Sequence, residues 1–120
     1  MRRIATAIAL AGLVASATPA WAQPAPVDDP IVIARGYVRA AILAQDRGLF
    51  DDAIRLYERA NVLAPHPVML FNLGQAHRLA GHRDLARRYY RDYLATAPTD
   101  DTLALATDFL AALDAQYERE

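Results

Sequence analysis

The 120-residue chain has no cysteine and no lysine, and its only serine is Ser16. Without cysteine there is no disulfide framework, no thiolate metal site and no lipid carried on an N-terminal cysteine. With serine confined to the N-terminal segment, a nucleophilic site would have to use a threonine. Thr96, Thr99, Thr102 and Thr107 all read as loop, cap or surface residues, so no catalytic residue and no enzyme activity are expected. An excess of one charge is also lacking. The 13 basic residues, all arginine, face 14 acidic ones, which gives no footing for a broad electrostatic hold on nucleic acid.

Long apolar runs are absent except for one, Ile4 to Ala17, which follows the basic start Arg2-Arg3 and precedes Thr18-Pro-Ala20-Trp-Ala22. A membrane span needs roughly 20 apolar residues, and this run is shorter. Ala20 and Ala22 put small side chains where a signal peptidase needs them. The expectation is a cleaved signal peptide over residues 1–22, contact with the membrane only in transit, and export to the periplasm. Without Arg2 and Arg3, 11 basic residues face 14 acidic ones, a net charge near −3. What remains is enough for one small domain.

The sequence does contain a repeat. Gly48 and Gly81, Ala53 and Ala86, Tyr57 and Tyr90, and Pro65 and Pro98 are each 33 residues apart, a period that belongs to stacked helical hairpins.

Taken in order, Gln23 to Asp29 reads as an extended leader, because Pro24 and Pro26 remove donors a helix would use. Asp29 and Pro30 suit an N-cap and a first helical position. Apolar spacing predicts helices from Ile31 to about Arg47 and from 51 to 64, with stops at Gly48 and Pro65. The second hairpin is expected over Val68 to Ala80 and Asp84 to Thr96, closed by Pro98. A last helix should run to about Arg119, with Leu103, Ala106, Leu110, Leu113 and Tyr117 on one stripe beside Phe109, and with Asp101, Asp108 and Glu118 facing away. The expected organisation is therefore hairpin 1 over 30–66, hairpin 2 over 67–98 and a C-terminal capping helix over 99–120, an all-α fold.

At these residues the chain resembles the tetratricopeptide repeat family, in the form of short exported proteins of proteobacteria. The second repeat matches at Leu70, Leu73-Gly74, His77, Gly81, Ala86, Tyr90 and Pro98; the first offers Tyr37, Ala44, Gly48, Phe50, Ala53, Tyr57, Ala60 and Pro65. Ala40-Ala41 stands where Leu-Gly is usual, and Tyr93 takes the place of the small Ala60, which suits a chain with no third hairpin. The resemblance implies an αα-hairpin solenoid and a protein-interaction role as adaptor or assembly factor, with no cofactor.

In that family a concave groove, lined by the leading helix of each hairpin, usually holds an extended peptide. Carried over position by position, the groove falls at Val38, Ile42 and Gln45, then Val68, Phe71, Asn72, Gln75 and Arg78. With Val38 and Ile42 in it and no lysine anywhere, an apolar or aromatic-bearing peptide fits better than a charged tail. Arg83, Arg87 and Arg91, four apart with Arg88 beside them, read either as a docking patch for an acidic partner or as a solvated face partly neutralised by Asp84 and Asp92. His66, His77 and His82 read as a linker, an aromatic-position and a turn residue. Imidazoles meet on a helix at spacings of three or four, and His77 and His82 are five apart, so no metal site is expected. Two repeats make a marginal core, which leaves homodimerisation through open end faces as the alternative role, and a small hydrolase or metal-binding protein as a remote one.

Overall fold

The computed structural model describes residues 16–24 and 28–120. The basic start and most of the apolar run of the expected signal peptide lie outside the described residues. Its last part, around Trp21, is exposed chain with a single 3-10 turn at Ala20–Ala22. Among the described residues the fold is all-helical: α1 (Pro30–Asp46), α2 (Phe50–Leu63), α3 (Pro67–Leu79), α4 (Arg83–Ala95) and α5 (Thr102–Glu118). Each helix packs on its neighbours in sequence, and α1 with α2 and α3 with α4 form the closest pairs. These are two helical hairpins followed by a fifth helix against α4.

The leading helices start alike. Asp29 Oδ1 accepts the Ile31 N–H at 2.8 Å, His66 Nδ1 accepts the Val68 N–H at 3.2 Å, and a proline follows each cap. Proline at that position sacrifices no helical hydrogen bond. Pro67 thus opens α3.

Both hairpins turn through a Schellman motif. Gly48, at φ 75°, donates to the Gln45 carbonyl, and Leu49 donates to the Ala44 carbonyl at 2.8 Å; Gly81, at φ 83°, donates to Arg78, and His82 donates to His77 at 2.8 Å. A left-handed residue is needed at this place, and glycine adopts it without steric cost.

Two clusters make the core. Ala41, Ala53, Tyr57, Ala60, Leu73 and Ala76 join the first hairpin to α3, and Phe71, Ala86, Tyr90, Tyr93, Ala106 and Leu113 join the second hairpin to α5. The 33-residue period is visible in burial: Ala53 with Ala86 and Tyr57 with Tyr90 are all buried. After Tyr93 a single helix follows, and no third hairpin, among the described residues, and Tyr93 lies buried in the same cluster as the small Ala106 of that helix.

The capping helix covers less with polar groups than its pattern suggests. Ala106 and Leu113 are buried, but Leu103 and Tyr117 are exposed, and the outer surface carries Ala104, Leu105, Ala111 and Ala112 beside Asp108. Leu79 and Leu85 sit at the exposed edge of the second hairpin, whose interior takes Met69, Phe71 and His77.

Candidate partner-binding site

The eight expected groove residues do not form one continuous surface. The open part lies between α1 and the start of α3, where a cavity of about 550 Å³ is floored by Ala34, Val38, Ala60, Ala64, Val68 and Met69. Val38 and Val68 are the groove residues found there. Arg35, Arg39 and His66 also border this cavity. Because His66 accepts the Val68 N–H through Nδ1, its neutral ring carries its proton on Nε2. Among the described residues neither Arg35 nor Arg39 has a carboxylate within ion-pair distance.

Farther along α1, Ile42 is exposed, and Gln45 is half-buried with its Oε1 shut away from hydrogen-bond partners. Neither lines the cavity. On α3, Asn72 and Gln75 are half-buried.

Phe71 and Arg78 are corrections to the sequence reading. Phe71 is only 5% exposed, with its ring centroid 5.5 Å from that of Tyr93 and 6.0 Å from that of Tyr90. Arg78 lays its guanidinium 4.0 Å over the ring of Phe109 from α5 and donates from Nε to Tyr90 Oη at 3.2 Å. Phe71 and Arg78 are therefore taken up by the core and by α5 and do not face an open groove. Burial raises the Tyr90 phenol above its ordinary value, and the hydrogen bond from Arg78 partly offsets this.

The arginine patch is likewise used inside the chain. Arg83 holds Glu120 through both guanidinium nitrogens, the longer contact being 2.9 Å; Arg87 Nε donates to Asp114 at 2.6 Å and Arg91 to the same carboxylate at 3.2 Å. Arg87 also stacks on Tyr117 at 4.3 Å. Of the four, Arg88 alone has no carboxylate partner among the described residues and rests 5.5 Å over Tyr89. The acids come from α5 and the C-terminal residue, not from Asp84 and Asp92. A sequence pattern confined to one helix does not reveal which later helix will face it.

The spacing argument for the histidines also fails here. His77 Nδ1 and His82 Nδ1 are 3.0 Å apart. The rule of three or four holds while a helix continues; across a Schellman turn the residues five apart come into contact. His77 is buried against Tyr89, the two rings stacked 5.3 Å apart at 8°, whereas His82 is exposed. Burial lowers the His77 pKa, His82 and Arg88 lower it further, and Asp51 opposes them. Gly81 was the signal that could have revealed the pair, because a glycine helix stop implies this turn.

No protein-family model matches the chain, and neither a curated protein nor a solved structure does. The site is therefore read from its own chemistry.

Proposed function

We propose that the chain is an exported, non-catalytic interaction module of tetratricopeptide-repeat type that binds a segment of a partner protein, as an adaptor or assembly factor. The observation that carries this reading is the cavity between α1 and α3. It is apolar at its floor and open to solvent, and it lies on the leading helices of both hairpins. Its size is within the range of sites that take one or a few side chains. The reading centres on the first hairpin and the start of the second, since Phe71 and Arg78 are engaged within the chain. The 33-residue period and the paired glycine turns support the repeat assignment.

The test is selection of binding peptides from a random library by the chain, repeated with Val38→Arg, which fills the cavity with charge, and with Val62→Arg, outside it. The reading expects a recognisable class of apolar-anchored peptides that Val38→Arg abolishes and Val62→Arg leaves intact. Equal loss or equal retention in both variants would remove the cavity from consideration.

A second reading is self-association. Ile33 and Leu43 on α1 and Leu103 and Leu105 on α5 leave apolar side chains exposed on both terminal helices, which copies of the chain could cover by stacking. Light scattering over a wide concentration range separates the two. A concentration-dependent mass and melting temperature favours stacking of copies, and constant values favour the adaptor.

A further inference from the structure

The arginines of the described residues are not used alike. Arg55, Arg83, Arg87 and Arg91 hold carboxylates of this chain, and Arg59, Arg78 and Arg88 lie over aromatic rings. Among the described residues Arg35 and Arg39 do neither, and both border the cavity between α1 and α3.

The rim of that cavity has one kind of polar chemistry. Arginine carries donors and no acceptor. His66 has its Nδ1 occupied by the Val68 N–H, which leaves its Nε2–H as a further donor. No Asp or Glu lines the cavity. A second hollow, across α1 and α2, is mixed in sign, since Arg55 and Arg59 stand there beside Glu58 and Arg55 is bound to Asp52. Of the two, the α1–α3 cavity lacks a negative group of its own.

Resting on the reading of this cavity as the partner site, we propose that the segment it takes presents an apolar side chain flanked by side-chain carboxylates, Asp or Glu, which Arg35 and Arg39 select. The floor of Ala34, Val38, Ala60 and Met69 covers the apolar group. The two arginines are four residues apart on α1, which puts their β-carbons about 5–6 Å apart on one helix face. A chain terminus supplies one carboxylate, whereas two cations one turn apart match a pair, and side chains of the segment supply it. Both arginines are exposed, so this part of the binding weakens as ionic strength rises.

The experiment is selection from a random peptide library displayed as an internal loop of a carrier protein, so that no free chain end is offered. The selecting chains are the parent, Val38→Arg and the double variant Arg35→Glu/Arg39→Glu. Peptides selected by the parent should be lost in Val38→Arg, carry Asp or Glu beside their apolar residue, and bind the double variant about tenfold or more weakly. The double variant should itself select Lys or Arg at those places. Arg47→Glu/Arg119→Glu changes the net charge equally outside the cavity and should bind as the parent does. With no ion pair of this chain to lose, the double variant should melt with the parent; if Glu lowers the melting temperature, Arg35→Gln/Arg39→Gln should show the same loss of binding without reversed charge.

Peptides that depend on Val38 but show no acidic preference, or that bind the double variant unchanged, would overturn the carboxylate requirement and leave the cavity as the partner site. Peptides indifferent to Val38→Arg would remove the cavity and the carboxylate requirement with it. A parent chain that selects nothing, or selects peptides only when free chain ends are displayed, would overturn the side-chain source of the carboxylates.

Discussion

A β-carbon on Gly74 would stand 2.8 Å from the ring of Tyr90. Both residues are buried, one on α3 and the other on α4, so the bare glycine sets how closely the second hairpin closes. Tyr90 has no room to yield: Phe71 and Phe109 flank its ring and Arg78 holds its hydroxyl.

Gly74→Ala is accordingly expected to cost about 1–3 kcal/mol of stability, the usual penalty for overpacking. Gly36→Ala should do the opposite. Gly36 lies inside α1 with nothing within 4 Å of the added atom, and alanine there gains up to ~1 kcal/mol in helix propensity. Urea denaturation of the two variants checks both signs. A Gly74→Ala chain as stable as the parent would mean that the α3–α4 contact is looser than described.

Phe71→Ala should behave as a core truncation and cost about 3–5 kcal/mol. Ile42→Ala, at an exposed position on α1 outside the cavity, should change stability by no more than about 0.5 kcal/mol. Both residues read as groove positions in sequence, so a denaturation midpoint for each separates the two structural assignments. A mild effect of Phe71→Ala would show that α5 does not seal this ring.

The five helices were legible because their signals are local. Each of the first four begins and ends one residue before its expected bounds, since Asp29-Pro30, His66-Pro67, Gly48 and Gly81 act on their own neighbours. Val38 and Val68, groove positions carried over from the family resemblance, border the cavity. What failed depended on distant packing. Nothing within Pro67–Leu79 indicates that Phe109 will lie over Arg78, and nothing within Arg83–Ala95 indicates that Asp114 and Glu120 will neutralise its arginines. The approach of His77 to His82 is local, but its spacing belongs to a turn and not to a helix.

The ionic contacts of α5 should make its attachment sensitive to salt and acid. Asp114→Asn removes the negative charge shared by Arg87 and Arg91 while keeping an acceptor oxygen, both partners being partly screened by solvent, and should cost about 0.5–1 kcal/mol, less at high salt. The hydrogen bond from Arg83 holds Glu120 below its ordinary pKa, and the hydroxyls of Thr102 and then Tyr93 do the same for Asp100. A carboxyl lowered in the folded chain contributes stability above its unfolded pKa and loses it as the pH falls through the folded one. Loosening of α5 is therefore expected below about pH 4, read by near-ultraviolet dichroism of the tyrosines under α5. A tyrosine signal that survives acid and salt unchanged would show that apolar burial alone retains the helix.

The turn after α4 offers the last test. Ala97 sits at φ 53°, where α1 and α3 use glycine. Its N–H donates to the Leu94 carbonyl at 3.1 Å, as in the other two turns. The residue after it is Pro98, which has no N–H for the Tyr93 carbonyl; the Thr96 hydroxyl donates to that carbonyl instead, at 2.6 Å. The chain thus meets the hydrogen-bond demand of the turn but retains a β-carbon in the left-handed region, which costs roughly 1–2 kcal/mol. Ala97→Gly removes that cost and adds some freedom to the unfolded chain, so a net gain of about 0.5–1 kcal/mol is expected. Gly81→Ala should lose about as much or more, because it creates the strain that Ala97→Gly relieves. Denaturation curves with opposite shifts would support one steric origin for both, whereas a loss in both would mean that the unfolded-state entropy of glycine outweighs strain at Ala97.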